Sequence, residues 1–273
     1  MKTILFTKMA GAGNDFIIVD ARPGMDYKEL AVKVCDRTSG IGADGLLVLE
    51  KSKKADYKMR IINRDGSEAE MCGNGARCMA AYIVRYRKPK KKLFAMETAA
   101  GLVRAKAAGE KAAIELGMPS DYKADMPITV NGRPLHVSFI NTGVPHAVVF
   151  VEGLKNIAVG EIGRVIRWHD AFKPKGTNVN FVEQIQENEV DVRTYERGVE
   201  AETKACGTGS VAAAIAAYLR ADPAPAQKKT AGMKVRTEGG EILEVFFDII
   251  QKQVVHVWLK GSAHFIAKGE YYV

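Results

Sequence analysis

Residues 65–78 read DGSEAEMCGNGARC, and residues 196–210 read ERGVEAETKACGTGS. Each segment follows an apolar run typical of a strand, passes through an acidic turn, and reaches Cys-Gly-x-Gly just before an alanine-rich run typical of a helix. Cys72 and Cys206 lie about half the chain apart, which is the pattern that duplication of a domain leaves. We therefore expect two similar domains, each with one cysteine at the start of a helix.

Short strand-like runs surround this motif on both sides. Apolar or alternating runs bounded by turn residues predict strands at 4–6, 16–19, 46–49, 57–62, 93–96, 102–105, 112–116, 135–140, 147–151, 178–182, 190–195, 234–237, 242–247 and 253–259. Apolar residues at helical spacing predict helices at 27–36, 76–87, 158–168 and 211–220. So many strands with so few helices favour an α+β fold over a doubly wound parallel sheet.

A stretch rich in proline and aspartate, residues 118–127, is interpreted as a loop at a domain boundary. This places an N-terminal domain at 1–118, with Cys72, and a C-terminal domain at 119–262, with Cys206.

The composition excludes several classes of protein. The chain has 273 residues, 47% of them hydrophobic and 26% charged, which are values of a globular protein. The net charge of +8 comes mostly from six basic residues at 85–92, a pattern typical of a solvated helix end or loop. The apolar stretch at the N-terminus is too short for a signal peptide, and the longest apolar run, 211–219, is too short for a membrane span. Four cysteines in so long a chain indicate free thiols, and a reducing cytoplasm is the default location.

Cys-Gly-x-Gly before a helix has a chemical use. The first N–H groups of a helix have no partners inside it, so with the helix dipole they bind anions such as a substrate carboxylate. The same dipole is expected to lower the pKa of a cysteine placed there. Two such loops facing one another across a cleft would put thiols on opposite sides of one carbon. One thiolate could then remove a proton while the other thiol delivers one to the opposite face.

Other uses of the cysteines are less well supported. Cys72 and Cys78 point to different sides of a helix, and the sequence has no Cys-x-x-Cys or tight Cys/His cluster, so we predict no metal site. Cys35 and Cys78 lie in apolar helical patterns and are interpreted as structural.

Five segments resemble the diaminopimelate epimerase family, and the resemblance extends over nearly the whole chain. They are residues 8–16, 40–45, 63–78, 143–147 and 195–209. The resemblance implies interconversion of LL- and meso-2,6-diaminoheptanedioate in lysine and peptidoglycan-precursor synthesis, with a two-cysteine mechanism that needs no cofactor. It also implies a homodimer with a small-molecule amino-acid substrate and no nucleic-acid or membrane partner.

The family resemblance also implies a specific form of the fold. Two similar domains each have a mixed, largely antiparallel sheet wrapped around a central helix, and the last segment, about 263–273, rejoins the first domain.

By the same resemblance, Cys72 and Cys206 are the acid/base pair, the first associated with the L centre and the second with the D centre. His146 and Glu196 would tune the thiols. Substrate-binding positions would be Asn14, Asn63, Gly73, Asn74, Asn178, Glu196, Arg197, Gly207 and Thr208. In this assignment, Glu196 holds the reacting amino group and Arg197 holds the distal carboxylate.

Two positions depart from the family pattern. Val144 stands where many members have asparagine, a difference for which Asn141 could compensate, and Gly45 stands where some members have glutamine.

Two alternative functions stay open at this stage. An amino-acid racemase of the proline type would not need the distal contacts of Asn63, Asn178 and Arg197. A nucleic-acid binder using residues 85–92 would be expected to show a basic patch with interleaved aromatic residues or a known binding motif, and the sequence shows neither.

Overall fold

The computed structural model describes residues 3–222 and 228–273, and the chain divides into two compact units. Unit 1 comprises Met1–Glu115 with Lys260–Val273, and unit 2 comprises Leu116–Leu259. Both units combine a mixed, mostly antiparallel sheet with a few helices, so the predicted α+β class is confirmed.

The secondary structure of the first part of the chain is rich in strands. The strands are β1 (Thr3–Gly11), β2 (Asn14–Asp20), β3 (Gly45–Glu50), β4 (Tyr57–Asn63), β5 (Glu68–Ala69), β6 (Phe94–Thr98), β7 (Gly101–Ala108) and β8 (Lys111–Glu115). Helix α1 (Tyr27–Cys35) follows β2, and helix α2 (Gly73–Arg87) follows β5. The side chain of Asp26 caps α1 by accepting hydrogen bonds from the N–H groups of Lys28 and Glu29.

The remaining elements repeat this style. The strands are β9 (Ser120–Val130), β10 (Arg133–Asn141), β11 (Pro145–Phe150), β12 (Asn178–Gln186), β13 (Glu189–Glu196), β14 (Ala201–Thr203), β15 (Lys228–Thr237), β16 (Ile242–Ile250), β17 (Gln253–Ser262) and β18 (His264–Tyr272). Helix α3 (Val159–Arg167) follows β11, and helix α4 (Gly207–Ala221) follows β14. Two single turns of 3₁₀-helix lie at Leu154–Asn156 and Asp170–Phe172.

The two units share one order of strand pairing. In unit 1, β1 pairs antiparallel with β2, β2 parallel with β3, β3 antiparallel with β4, and β4 antiparallel with β5 and parallel with β6. In unit 2, the same relations join β10 with β11, β11 with β12, β12 with β13, and β13 with β14 and β15. Even the outer partners correspond, because β18 flanks β1 as β9 flanks β10. The internal repeat expected from the two cysteine motifs is therefore present in the fold.

Each unit places its longer helix in the core. Strand β3 is buried on both faces, because successive side chains point to opposite sides of a sheet and Leu46, Leu47 and Val48 are all inaccessible. Leu46 and Val48 join the core cluster that contains the apolar side of α1, whereas Leu47 reaches Gly75 near the start of α2. Burial of these aliphatic side chains is the main source of stability for such a layer.

Residues 118–127 are not the loop that the sequence predicts. Strand β9 begins at Ser120, and it pairs with β10 through a turn at Asn131 and Gly132, whose φ angles of 50° and 77° suit a tight hairpin. Its register shifts twice, close to the positive φ angles of Asp121 and Asp125. Because β9 has these irregularities and one of its faces is open to solvent, it lacks the alternating apolar pattern from which a strand is predicted.

Helices α2 and α4 begin earlier than predicted, at Gly73 and Gly207 rather than at 76 and 211. Glycine has low helix propensity, so the periodic pattern misses the first turn. As a result, Cys72 and Cys206 are the N-cap residues themselves.

The six basic side chains of 85–92 are exposed at the end of α2 and just beyond it, as the sequence predicts. Within residues 3–222 and 228–273, every helix falls short of the length and apolarity that a membrane crossing requires.

Candidate active site

Cys72 joins the short strand β5 to the core helix of unit 1. Its backbone is extended (φ −144°, ψ 114°), and its Sγ accepts a hydrogen bond from the Gly75 N–H at 3.5 Å. The thiol thus occupies the capping position usually taken by serine or aspartate, beside the N–H groups of the first turn. A negative charge on this sulfur, or on a ligand next to it, would be stabilised by the helix dipole.

A chain of amide side chains leads away from this cap. Asn74 is buried; its Nδ2 donates to Asn14 Oδ1 at 2.8 Å, and its Oδ1 accepts from the Arg77 guanidinium at 2.9 Å. Asn14 in turn donates through its Nδ2 to Asp44 at 2.9 Å. The structure therefore brings together two of the predicted substrate-binding residues, Asn14 and Asn74. Their hydrogen bonds fix the orientation of both side-chain amides.

Four charged residues behind Asn14 were not predicted as site residues. Arg37 bridges Asp15 and Asp44 with contacts of 2.7 and 2.8 Å, and Lys8 lies 3.2 Å from Asp15. Although partial burial acts to raise the pKa of Asp15, hydrogen bonds from Arg37 and Lys8 bring that pKa below its ordinary value. Lys8, Asp15 and Asp44 lie within segments that carry the family resemblance, whereas Arg37 had no signal in the sequence.

Asn63 is placed differently from the other two asparagines of unit 1. It is exposed at the end of β4, and its Nδ2 donates to Ser67 Oγ at 2.9 Å within the following turn. This side chain is therefore open to a ligand, unlike the buried Asn74.

Cys206 occupies the equivalent position in unit 2 but is more enclosed. It has an extended backbone (φ −123°, ψ 112°) before α4, and its Sγ lies 3.5 Å from Thr208 Oγ1. Burial, and secondarily the charge of Glu196, raises the pKa of this thiol to about 11, against weaker opposing hydrogen bonds from Thr208 and Gly209. The expectation that the helix start lowers the pKa is wrong for Cys206, because loss of solvent outweighs the dipole.

The loop of Cys206 is tightly supported. The backbone carbonyl of Thr208 accepts a hydrogen bond from Thr142 Oγ1 at 3.1 Å. A Cβ placed on Gly207 would lie 3.0 Å from a methyl group of Leu259. The positions predicted to hold a carboxylate, Gly207 and Thr208, are thus presented on a backbone with little room to move.

Glu196 and Arg197 stand at the end of β13. Burial raises the pKa of Glu196, and the nearby hydroxyl of Thr203 acts in the opposite direction. The backbone N–H of Arg197 donates to Asn178 Oδ1 at 2.8 Å, and Asn178 Nδ2 donates to the Pro145 carbonyl at 3.0 Å. Asn178 therefore ties the Arg197 turn to the start of β11.

The other side of this turn is held by an ion pair between Arg167 and Glu200. Glu200, which has a positive φ of 57°, accepts from the Gly198 N–H at 3.0 Å and from Arg167 Nε at 3.2 Å. Arg167 is almost fully buried and also donates to the Lys175 carbonyl at 3.1 Å. The chain thus builds a fixed platform for the Arg197 side chain.

His146 is fully buried at the start of β11. Burial, with a smaller contribution from the positive charge of Arg197, lowers its pKa to about 3, so the ring is neutral at physiological pH. Its Nδ1 lies 3.0 Å from Nδ2 of Asn180, and Asn180 Oδ1 accepts from Thr194 Oγ1 at 3.0 Å. Asn180 and Thr194 were not predicted as site residues, because each lies inside a strand, where the sequence pattern does not distinguish a polar residue with a role in the site from an ordinary strand residue.

The two departures from the family pattern have local explanations. Asn141 Oδ1 accepts from the Gly143 N–H at 3.0 Å, so this side chain stabilises the turn before Val144. A Cβ atom at Gly45 would lie 3.0 Å from the Ile62 carbonyl oxygen, so this position leaves little room for a side chain such as glutamine.

The remaining thiols, Cys35 and Cys78, are buried. Among the residues that the structure describes, no three His, Cys, Asp or Glu side chains are grouped closely enough to hold a metal ion.

Comparison with known proteins connects this site to a family. Residues 6–121 and 138–265 match the family model described as diaminopimelate epimerase. The diaminopimelate epimerase of Aquifex aeolicus (strain VF5) is 40% identical over 278 residues, covering 97% of this chain and 96% of that protein. That of Methanothrix thermoacetophila is 46% identical over 233 residues, covering 80% and 82%.

Solved structures share the fold at low sequence identity. A PhzF-family phenazine biosynthesis protein of Bacillus anthracis has a TM-score of 0.72 and 19% identity, with 100% of each chain covered. A hydroxyproline epimerase from Agrobacterium vitis has a TM-score of 0.69 and 16% identity, covering 98% of this chain and 92% of that one. These two comparisons support the fold only. The match to the family model over most of the chain, with about 40% identity to full-length relatives, shows that this chain belongs to the diaminopimelate epimerase family of enzymes.

Proposed function

We propose that this enzyme interconverts LL- and meso-2,6-diaminoheptanedioate by proton transfer at the α-carbon, with Cys72 and Cys206 as the two proton-transferring groups. The pathway would be lysine and peptidoglycan-precursor biosynthesis. The substrate is the one named for the relatives in this family. The mechanism is our inference from the two cysteine sites.

One observation carries the mechanism. The two units repeat the same strand order, and each has a cysteine at the N-cap of its core helix, after the short strand that pairs with β4 or β13. Buried structural cysteines have no reason to recur at this position. Two groups that act on opposite faces of one carbon would be expected to recur at equivalent positions, because inversion needs one base and one acid.

The raised pKa of Cys206 supports one choice of starting roles. In this proposal Cys206, which is protonated at physiological pH, is the acid, and Cys72 is the base in the direction that uses this form. The Cys72 thiolate takes the α-proton, the electron pair of the broken C–H bond delocalises into the substrate carboxylate, and the Cys206 thiol gives its proton to the opposite face. After turnover Cys72 is the thiol and Cys206 the thiolate, and no electrons have been gained or lost overall.

The other side chains would bind the substrate around this centre. The N–H groups of Gly73-Asn74 and Gly207-Thr208 lie at the starts of α2 and α4, where helix dipoles stabilise the charge that grows on the carboxylate. The exposed amide of Asn63 and the fixed Arg197 turn offer a donor amide and a cation for the distal amino-acid group. Asn14, Asn178 and Glu196 would complete the set.

The decisive experiment follows proton exchange in D₂O. Incubation of the LL isomer with the enzyme should give the meso isomer with deuterium at the inverted α-carbon, with no added pyridoxal phosphate or metal. Cys72→Ser and Cys206→Ser should each reduce kcat by about 10²- to 10⁴-fold, the usual range for loss of a general acid or base. Cys35→Ala, a buried thiol outside both sites, is the matched control and should keep its kcat. Full turnover by either serine variant would overturn the two-cysteine mechanism.

Two parts of the proposal need separate tests. Proline or hydroxyproline should not be racemised; if they are and diaminoheptanedioate is not, the proline-type alternative replaces our assignment. A homodimer is expected in sedimentation experiments at micromolar protein concentration.

A further inference from the structure

The two units differ in the polarity of the side chains beneath their cysteine loops. In unit 1 these side chains are apolar and buried: Leu47 pairs with Ile61 across β3 and β4, and Phe16 lies on β2 opposite Gly45. In unit 2 Asn180 pairs with Thr194 across β12 and β13, and His146 lies on β11 opposite Asn178. The same scaffold therefore carries a buried polar cluster (His146, Asn180 and Thr194) where its repeat carries ordinary core.

The correspondence extends to the cysteine loops themselves. A Cβ on Gly75 would lie 3.2 Å from Leu47 and 3.6 Å from Cys72, and a Cβ on Gly209 would lie 2.3 Å from Asn180 Oδ1 and 3.2 Å from Cys206 Sγ. Asn180 is therefore directly beneath the Cys206 loop. Because apolar residues lie beneath the equivalent helix start in unit 1, we expect the fold of unit 2 not to require the polar cluster.

The hydrogen bonds of Asn180 determine the tautomer of His146. Asn180 Nδ2 lies 3.3 Å from the carbonyl of Ala147, which can only accept, so this side of the amide is the NH₂ group. The same NH₂ group lies 3.0 Å from His146 Nδ1, which must therefore accept and carry no proton. A neutral imidazole with a bare Nδ1 has its proton on Nε2.

The Nε2–H of His146 is buried, and among the described residues it has no hydrogen-bond partner. Buried donors are rarely left without an acceptor, and such an exception calls for an explanation. One explanation is an acceptor that exists only during turnover. Near Asn180 the group that becomes a strong acceptor in the proposed reaction is Cys206, once it has given up its proton.

We propose that Asn180 is a positioning residue, which holds His146 as the Nε2–H tautomer so that its buried N–H can donate to the Cys206 thiolate. The inference rests on the proposed function for the role of the thiolate, but the tautomer is a property of the protein alone. Asn180 acts through His146 and does not itself touch the reacting atoms.

The test begins with the wild-type protein. Nitrogen-15 NMR of the histidine ring, with the His146 signal identified by its loss in His146→Phe, should show Nε2 protonated and Nδ1 bare at pH 7.5. A wild-type Nδ1–H tautomer would overturn the proposal, whether or not the enzyme turns over diaminoheptanedioate.

Substitution of Asn180 provides the second arm. Asn180→Asp replaces the NH₂ group with an acceptor, so Nδ1 should become protonated, and kcat should fall on the order of 10- to 100-fold with little change in KM, as expected when one hydrogen bond to a charged group is lost. Asn188→Asp makes the same chemical change at an exposed turn and should leave both tautomer and kcat unchanged. An unchanged kcat in folded Asn180→Asp, or an effect on KM alone, would overturn the assignment.

A swap with the unit 1 residues separates function from folding. The triple variant H146F/N180L/T194I installs the apolar set of unit 1. Its thermal unfolding should stay cooperative and close to wild type, because the three side chains that hydrogen-bond to one another are removed together. Its kcat should fall at least as far as that of Asn180→Asp. A folded triple variant with wild-type kcat would show that the polar cluster has no part in catalysis.

Discussion

The raised pKa of Cys206 predicts unusually slow alkylation. With a pKa of about 11, the thiolate fraction at pH 7.5 is about 1 in 3,000, whereas a free cysteine with a pKa of about 8.5 has about 1 in 10. The thiolate is the nucleophile, so Cys206 should react with iodoacetamide about 300-fold more slowly than a free thiol. Peptide mass spectrometry after timed quenching would follow Cys206 separately from the other three cysteines.

The dependence of this rate on pH separates ionisation from access. Poor access slows alkylation by the same factor at every pH, whereas a raised pKa makes the rate increase tenfold per pH unit up to about pH 10. Glu196→Gln removes the second cause of the shift and should speed the reaction at pH 8, whereas Glu187→Gln, at an exposed position, should not. A rate for Cys206 that levels off near pH 8.5 would refute the reasoning.

The same shift has a consequence for stability. A thiol whose folded pKa is raised binds its proton more tightly in the folded state, so unfolding becomes easier as pH increases from about 9 to 11. The loss from Cys206 is on the order of 2–3 kcal/mol, at 1.36 kcal/mol per pKa unit. Urea denaturation at pH 8 and 10 should show a smaller decrease in Cys206→Ala than in wild type, and equal decreases would contradict the burial argument.

Four further substitutions test the supports of the two cysteine loops and of the Arg197 turn. Gly209→Ala places a methyl group 2.3 Å from a buried amide oxygen and should lower the free energy of unfolding by about 1–3 kcal/mol. Gly75→Ala has a leucine methyl at 3.2 Å as its nearest contact and should change the free energy of unfolding by less than about 1 kcal/mol. Equal effects in urea denaturation would argue against the close packing in unit 2. Asn74→Ala removes three side-chain hydrogen bonds of a buried residue and should cost about 1–3 kcal/mol. A stability equal to wild type would count against the amide chain. The lysine in Arg167→Lys cannot reproduce the forked contact with Glu200 and the backbone. We expect kcat/KM to fall by about tenfold through a higher KM. An unchanged KM would show that the Arg197 turn holds its shape without this ion pair.

The sequence alone predicts the architecture better than it predicts the chemistry at each cysteine. The duplicated Cys-Gly-x-Gly motif correctly indicated the repeated α+β units, because glycine and apolar periodicity are local properties. Strand β9 was missed because its stability comes from pairing with β10 and not from its own pattern. The Asn131–Gly132 turn was the available signal for that hairpin.

Neither the ionisation of Cys206 nor the tautomer of His146 could be predicted from the sequence. Cys72 and Cys206 have the same local sequence context, and only tertiary structure shows how fully Cys206 is withdrawn from water. The environment of His146 depends on Asn180, which comes from a strand more than thirty residues later in the chain. Electrostatic properties of this kind arise from contacts between distant segments, which a single sequence does not record.

The pairing of β18 with β1 also has a consequence for the order of folding during synthesis. β18 leaves the ribosome after every residue of unit 2, yet it covers the edge of the first strand of unit 1 from Thr3 to Ala10. Until then β1 presents unpaired N–H and C=O groups, a template for unwanted strand pairing. Unit 2, which is continuous from Leu116 to Leu259, can complete its own fold first. We therefore expect a chain shortened by its last nine or ten residues to have a less stable unit 1, with the edge of β1 open to pairing with other strands. Unit 2, which lies wholly upstream of the deletion, should keep its fold.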